Sequence, residues 1–433
     1  MCSSDLSHSF PILEESAVRT SLADEMSVCG ACRLCVDLCD VFPSLFDALS
    51  AVEGENPQLL TPHQQDLISD NCFHCGACLN RCPHRGPSSD YDINIPLSFL
   101  ELMEVRRANG HLTSRQRIGS LMLSSPDVIG PIASRLSTFT NWLTRRPGSL
   151  RRRIITALTG ISSSAQLPSI SPQRFSGWFR GQNTVNPTDD PSISMFPTCV
   201  VEYFATDLGK TVVEELESQQ VSCALATTTC CGAEELRSGR VQAFRKRVRR
   251  LIKVLANGPS DTPIMVMTPS CLAHLRTNLL GHCDPDQQQT AAAIVDRLRS
   301  PIEVLTELNN SAPTTVVTET TPTSPSTTVV LNNPHTTDAE SIAIHRAATE
   351  GTFEAQIIED AGMRMGAWAL RQQNEASIHR VIGRMAERLP AQDDHPRTLV
   401  RSGLMTSQLL CNETGDRAVD PTALFIRSKS QYE

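Results

Sequence analysis

Apolar positions change rhythm along the chain, and the changes divide it. Leu97, Leu100, Leu102 and Met103 return at helical spacing, and Leu121, Met122, Leu123 and Val128 belong to a further helix. Pro126, Pro131 and Pro147 are read as breaks between helices over 96–160. From 191 the pattern alternates. Short apolar runs at 192–196, 221–226 and 264–267 read as buried strands. Between them, 205–219 places Leu208, Val212, Val213 and Leu216 on one helical face. The stretch 234–256 reads as one charged helix carrying Arg245-Lys246-Arg247-Val248-Arg249-Arg250. Strand–helix alternation predicts a mainly parallel α/β domain over 191–300. A linker follows over 301–328, dominated by Thr, Ser and Pro from 311, which cannot bury a core. Over 329–433 the α/β style returns, with strands at 328–331 and 398–400 and helices at 341–349 and 375–389. Upstream, 1–24 reads as a polar tail or docking helix. Residues 25–110 form a cysteine-rich helical module with a helix at 61–69. Residues 111–190 form a helical connector whose last third is rich in Ser, Pro, Gly and Asn. The expected class is α+β, multidomain.

The 433 residues are enough for two or three domains. A formal charge of -8 and only 4% aromatics argue against a nucleic-acid binder. No apolar stretch of about 18 residues suggests a membrane span, and the first twenty residues lack the pattern of an export signal. The cytoplasm, or its membrane face, is the expected compartment, so paired cysteines point to metal rather than disulfides. The basic run 145–153 reads first as a solvated helix end. Contact with anionic lipid headgroups, worth about 1 kcal/mol per basic residue, is the sharper alternative.

Of sixteen cysteines, eight fall in two sets: Cys29, Cys32, Cys35 and Cys39, then Cys72, Cys75, Cys78 and Cys82. Each set reads C-x2-C-x2-C-x3-C. Zinc needs four ligands and commonly takes two separated pairs. Three thiolates spaced by two residues, plus a fourth, suit the corners of a [4Fe–4S] cubane whose fourth ligand comes from the other set. The expectation is two clusters, on Cys29, Cys32, Cys35 and Cys82, and on Cys72, Cys75, Cys78 and Cys39. Pro83 follows Cys82 as that pattern expects. Asp40 follows Cys39 instead of proline, and its charge is expected to lower one cluster's potential. His74, between two ligands, reads as a supporting or surface residue.

Four further cysteines, Cys199, Cys230, Cys231 and Cys271, sit just after the three strands of the first α/β domain. Open α/β sheets place ligands at that carboxyl edge, and helices expected to start just beyond would stabilise thiolates there. A third iron–sulfur cluster or a reactive dithiol is the reading; small buried hydrophobes are the bland alternative. Cys2, Cys223, Cys283 and Cys411 are isolated and read as ordinary thiols.

Two ferredoxin-type motifs followed by Phe196-Pro197-Thr198-Cys199, Leu208-Gly209-Lys210, Cys230-Cys231-Gly232 and Ser270-Cys271 resemble the Cys-Cys-Gly family. That family includes the C-subunit of anaerobic glycerol-3-phosphate dehydrogenase and the B-subunit of heterodisulfide reductase. The stretch over 121–142 is similar to the family's own connector, and the resemblance covers 25–285. It implies a second cysteine-rich domain, from which this chain departs. The expected Pro-Cys-His is Asn333-Pro334-His335, and Asp360-Ala361-Gly362 with Gly366-Ala367-Trp368 stands near the expected Cys-Cys-Gly. Arg401 to Thr406 replaces a C-x-x-C. The second domain is expected to keep the fold, lack thiolates, and cover the first domain or dock a partner.

The resemblance implies an electron-transfer subunit that links a flavoprotein dehydrogenase to a quinone or other acceptor. With no G-x-G-x-x-G after a strand, flavin would sit on a partner. Disulfide or thiol reduction at the Cys-Cys-Gly site is the alternative, and an iron–sulfur sensor ranks last.

Overall fold

The computed structural model describes residues 14–86, 89–182, 191–310, 328–331, 344, 355–358, 365–391, 397–401 and 404–430. Expectations placed on 1–13, 311–327, 332–335, 360–362 and 402–403, and on the helix at 341–349 apart from residue 344, lie outside the described residues.

The N-terminal module is helical. Helix α1 (Glu15–Cys32) starts inside the stretch read as a tail and buries Val18, Leu22 and Met26. The module also contains α2 (Val41–Ser50), α3 (Pro62–Asp70), the short α4 (Ala77–Arg81) and α5 (Ile95–Ala108), and α1 packs against α2 and α5. Leu45, Leu49, Phe99 and Leu102 complete that core. Helix α3 begins where the sequence signals it. Thr61 and Gln64 form a reciprocal capping box, and Pro62 occupies the first turn, where its missing N–H costs nothing.

The connector folds as α6 (Ser114–Ser124), α7 (Pro126–Arg135), α8 (Ser137–Thr144), α9 (Leu150–Thr159) and α10 (Phe175–Gly181). Pro131 lies inside α7 and does not break it; only one helical bond, to the Asp127 carbonyl, is given up. The reading of 145–153 as a solvated helix end fails at Arg152. Its side chain is fully buried and donates to the Ala165 carbonyl at 3.0 Å.

Two four-stranded parallel sheets follow. The first contains β1 (Ile193–Phe196), β2 (Cys223–Leu225), β3 (Ile264–Val266) and β4 (Leu298–Arg299), ordered β2-β1-β3-β4. Its helices are α11 (Thr198–Tyr203), α12 (Thr206–Ser218), α13 (Ala233–Arg237), α14 (Val241–Leu255), α15 (Pro269–His282), α16 (Gln288–Arg297) and α17 (Pro301–Asn310). The single helix expected over 234–256 is two. Gly239, at φ +69°, turns the chain between α13 and α14, and a Cβ there would lie 2.6 Å from the Met103 carbonyl oxygen of α5. The break therefore lets this domain close on the N-terminal module.

The second sheet contains β5 (Thr328–Leu331), β6 (Ala355–Ile358), β7 (Thr398–Val400) and β8 (Arg417–Val419), with α18 (Glu375–Glu387), α19 (Leu404–Thr414) and α20 (Pro421–Ser430). Its order, β6-β5-β7-β8, repeats that of the first sheet. The four-residue strand β5 is wholly buried, as expected for a strand covered on both faces.

Candidate functional site

Local backbone geometry gathers the first eight cysteines. Cys29 and Cys32 end α1, and Arg33 closes that helix in the left-handed region, turning the chain towards Cys35 and Cys39. Cys72 follows α3. His74 (φ 51°) and Gly76 (φ 76°) then curl the chain so that Cys75 and Cys78 face the same space. The backbone N–H of His74 donates to Cys72 Sγ at 3.4 Å, and those of Val41 and Phe42 point at Cys39.

The electrostatic neighbours cross between the two sets. Burial pushes the Cys29 thiol up to about 12, helped by Cys35, Cys82 and Cys32. Burial and Cys82 push Cys35 up to about 11. Cys39 is pushed well above the ordinary range by burial, then by Cys75 and Cys72. Cys78 is raised by burial and by Cys75, Cys72, Cys39 and Cys35. A small cavity is framed by Cys39, Cys72, Cys75 and Cys78 and walled by Phe42, Phe73 and Phe99. Neutral thiols crowded in this way become stable thiolates only beside a strong cation, and bound iron supplies one.

Among the described residues, no three His, Cys, Asp or Glu side chains stand close enough to share one ion. A cubane asks for something else, one thiolate per iron around a space, and the donors framing this cavity fit it.

His74 forms part of the cavity wall. Its ring bonds the Pro96 carbonyl, and burial with Arg237 and Arg371 nearby holds it neutral, with its pKa lowered to about 3. Its Nδ1 is 3.8 Å from Cys72 Sγ.

The second constellation assembles at the carboxyl edge of the first sheet. Cys231 Sγ and Cys271 Sγ are 3.1 Å apart. Cys230 contacts both Cys199 and Cys231 through its thiol. Cys199 is held well above the ordinary thiol range by its hydrogen bond to Cys230 and by burial. Cys199 and Cys271 lie within the first turns of α11 and α15 rather than ahead of them. Thr198, buried at φ 63°, bonds Thr268 across the edge at 2.7 Å and ties the ends of β1 and β3 together. Gly232 is required twice over: its φ is +86°, and a Cβ would meet the Phe244 ring at 2.7 Å.

Three residues that spacing did not signal, Asp127, Arg247 and Glu235, hold this loop. Asp127 of α7 accepts the Cys230 backbone N–H at 2.8 Å and pairs with Arg247. Arg247 is bidentate on Glu235 at 2.7 and 2.8 Å. His274, one turn after Cys271, packs on Phe244 at 5.2 Å; burial, then Arg237, lowers its pKa to about 3. An acidic residue in a proline-flanked connector, 103 positions from its partner, leaves no local pattern to read.

The C-terminal sheet domain meets the N-terminal module at Cys39. Asp40 is 2% exposed and bonds Arg380 Nε at 2.9 Å and Ser377, with Arg384 at 3.5 Å. Burial raises its carboxyl, but the bonds from Arg380 and Ser377 prevail and hold it below the usual range. The charge expected beside Cys39 is there as a carboxylate, and two guanidinia answer it. Trp368 packs on Phe73 in a tilted pair with ring centroids 5.3 Å apart and donates to the Asp70 carbonyl at 2.8 Å. Cys35, Cys39, Cys75 and Cys78 pack against the core that Trp368, Ile378, Val381 and Met385 share with Phe73.

A parallel sheet with thiols converging at its carboxyl edge defines a cysteine-rich α/β domain. Residues 193–276 match the family described as "Cysteine-rich domain", the Cys-Cys-Gly family. Over 114 residues the chain is 32% identical to lactate utilization protein A of Oceanobacillus iheyensis, covering 24% of this chain and 43% of that one. Over 169 residues it is 24% identical to the C-subunit of anaerobic glycerol-3-phosphate dehydrogenase of Escherichia coli, covering 38% and 42%. Over 77 residues it is 31% identical to citrate utilization protein B of Escherichia coli, covering 18% of each. The chain thus spans less than half the length of these relatives. No solved structure matches. The resemblance carried by Cys199, Cys230-Cys231-Gly232 and Cys271 holds over the domain that contains them.

Proposed function

We propose that the chain is an iron–sulfur electron-transfer subunit of an oxidoreductase. The observation that carries the reading is the crossed arrangement of the first eight cysteines, placed in one molecule with a cysteine-rich domain whose four thiols converge. Cys29, Cys32, Cys35 and Cys82 would hold one [4Fe–4S] cluster, and Cys72, Cys75, Cys78 and Cys39 the other. Cys199, Cys230, Cys231 and Cys271 would hold a third iron–sulfur cluster. When bound, such clusters supply one-electron redox chemistry.

The chain's own residues do the rest. Phe73 and Phe99 exclude water from Cys39 and Cys72. Asp127 and Arg247 fix the Cys230 loop. The C-terminal domain is a second copy of the cysteine-rich fold, without its thiols, that closes over the cysteines of the N-terminal module.

By analogy with the C-subunit of anaerobic glycerol-3-phosphate dehydrogenase, the donor is a flavoprotein dehydrogenase and the acceptor a quinone or other carrier. The molecule works in the cytoplasm, docked on the membrane face through its connector. Val128 and Leu150 there are 67% and 73% exposed, and Phe139 and Trp142 stack at 5.7 Å with Arg151 lying 3.9 Å from the Trp142 ring. Over 111–160 the one acidic residue, Asp127, is bound to Arg247, so the face offers cations and apolar groups together. Among the described residues no helix is long and apolar enough to cross a membrane.

Anaerobic purification tests the reading. Iron and sulfide in a ratio near one, with cluster signals in electron paramagnetic resonance, support it; a colourless, zinc-loaded protein sinks it. The 3.1 Å approach of Cys231 and Cys271 favours a second reading, disulfide or thiol reduction at that site. Turnover of a disulfide by the isolated chain, lost in Cys231→Ser, would establish that activity.

A further inference from the structure

A cavity of about 280 Å³ opens where all the modules meet, and its lining contains no cysteine. Its walls come from α5, α6, the turn after α9, the turn after α13 and the 3-10 segment Gln372–Asn374 with the residue before it. Four guanidinia line it: Arg106, Arg107, Arg115 and Arg371.

Two of these are already answered. Arg106 pairs with Asp66 and Asp70 at 3.1 and 2.8 Å, and Arg371 pairs with Glu234. The other two are not. Among the described residues no carboxylate bonds Arg107 or Arg115. Arg107 donates only to neutral oxygens, the Ser238 carbonyl at 2.8 Å and the Ser120 hydroxyl. Its charged neighbours are Arg240, Arg117 and Arg371, which with burial push its pKa down. Arg115 donates to the neutral Gln372 amide oxygen, and its Nε is buried without a partner. Buried or crowded guanidinium charge without a counter-charge is costly, and a bound anion removes that cost. Asp70, paired with Arg106, is the one carboxylate in the lining; Gln116, Gln372 and Gln373 add neutral polar groups, while Leu112, Leu123 and Ile161 supply an apolar side. The volume falls just below the roughly 300–1,000 Å³ of drug-sized sites, which suits a small metabolite.

We propose that this cavity binds a small oxyanion-bearing molecule, a phosphate ester or a dicarboxylate, through the forked donors of Arg107 and Arg115. Arginine presents the paired N–H groups that carboxylate and phosphate oxygens accept. Because the walls come from every module, the bound anion also ties them together.

Calorimetric titration of the anaerobically purified, full-length protein tests this. The probes are inorganic phosphate and, separately, succinate, at an ionic strength fixed with chloride. Saturable binding of either probe is expected, and the probe that binds assigns the class. The double variant Arg107→Gln/Arg115→Gln should lose at least about tenfold in affinity, since it removes both forked charge-assisted donors. Gln373→Glu, which keeps every arginine and adds a carboxylate to the lining, should also weaken binding; this second variant decides the matter if the double variant does not fold. Arg146→Gln, exposed and outside the lining, should bind as wild type. The proposal is overturned if neither probe gives a saturable heat, if Gln373→Glu binds as wild type, or if Arg146→Gln weakens binding as much as the lining variants do.

Discussion

Asp40 stands where proline is usual after the fourth cysteine of the first set. Read alone, its carboxylate lowers a neighbouring cluster's potential; in the fold, Arg380 and Arg384 answer it from 340 and 344 positions away in sequence. Removing one side of the group or the other should move the cluster proposed at Cys39 in opposite directions. Asp40→Asn leaves the cations unopposed and should raise its midpoint potential. Arg380→Gln/Arg384→Gln uncovers the carboxylate and should lower it. A redox titration followed by electron paramagnetic resonance reads both, with the cluster on Cys29, Cys32, Cys35 and Cys82 as an internal control. Shifts of the same sign in both variants would reduce the group to a structural tie. Gly232 allows a second test at this scale. Gly232→Ala places a Cβ against Phe244 at positive φ, so the melting temperature should fall by several degrees and iron at the Cys-Cys-Gly site should be lost. Unchanged iron content there would contradict the geometry.

At the scale of elements, what could be read from sequence followed the range of the physical signal. The helix expected over 61–69, the buried strands β1, β3 and β5, and the one-faced helix α12 are local patterns, and each appears within a residue or two of its expected place. The cysteine spacings are local too. What stayed hidden is set by contacts far apart in sequence. The split between α13 and α14 is decided by the approach of Gly239 to Met103. The burial of Arg152 is decided by the carbonyls of the loop after α9. The bond from Cys230 to Asp127 needed the fold before it could be seen. The connector's outer face gives the prediction for this scale. Leu150→Glu/Ile154→Glu replaces exposed apolar groups and reverses the local charge. Flotation with anionic phosphatidylglycerol vesicles should then be lost, while wild type floats with these and not with zwitterionic vesicles. Equal flotation of both proteins would remove the connector as the docking face.

Across the whole molecule, two sheets share one strand order, β2-β1-β3-β4 and β6-β5-β7-β8, but only the first gathers thiols at its edge among the described residues. The second leans its Trp368 and α18 on the cysteines of the N-terminal module. On this account it was kept as a cover. Trp368→Ala should cost about 3–5 kcal/mol of stability and speed the loss of iron from the intact protein in air, measured as bleaching of the visible absorbance. Bleaching at the wild-type rate would leave the domain without that role. On the proposed function, three groups of four cysteines hold iron–sulfur clusters. Iron and sulfide analysis of the anaerobic full-length protein, joined to spin quantification of the fully reduced sample, addresses it most directly. About twelve iron and twelve sulfide per chain are expected if the Cys199, Cys230, Cys231 and Cys271 site holds a cubane like the other two, from four of each per [4Fe–4S] cluster. Protein purified without air that carries only about eight iron and eight sulfide, stoichiometric zinc, or no metal at all, would contradict it.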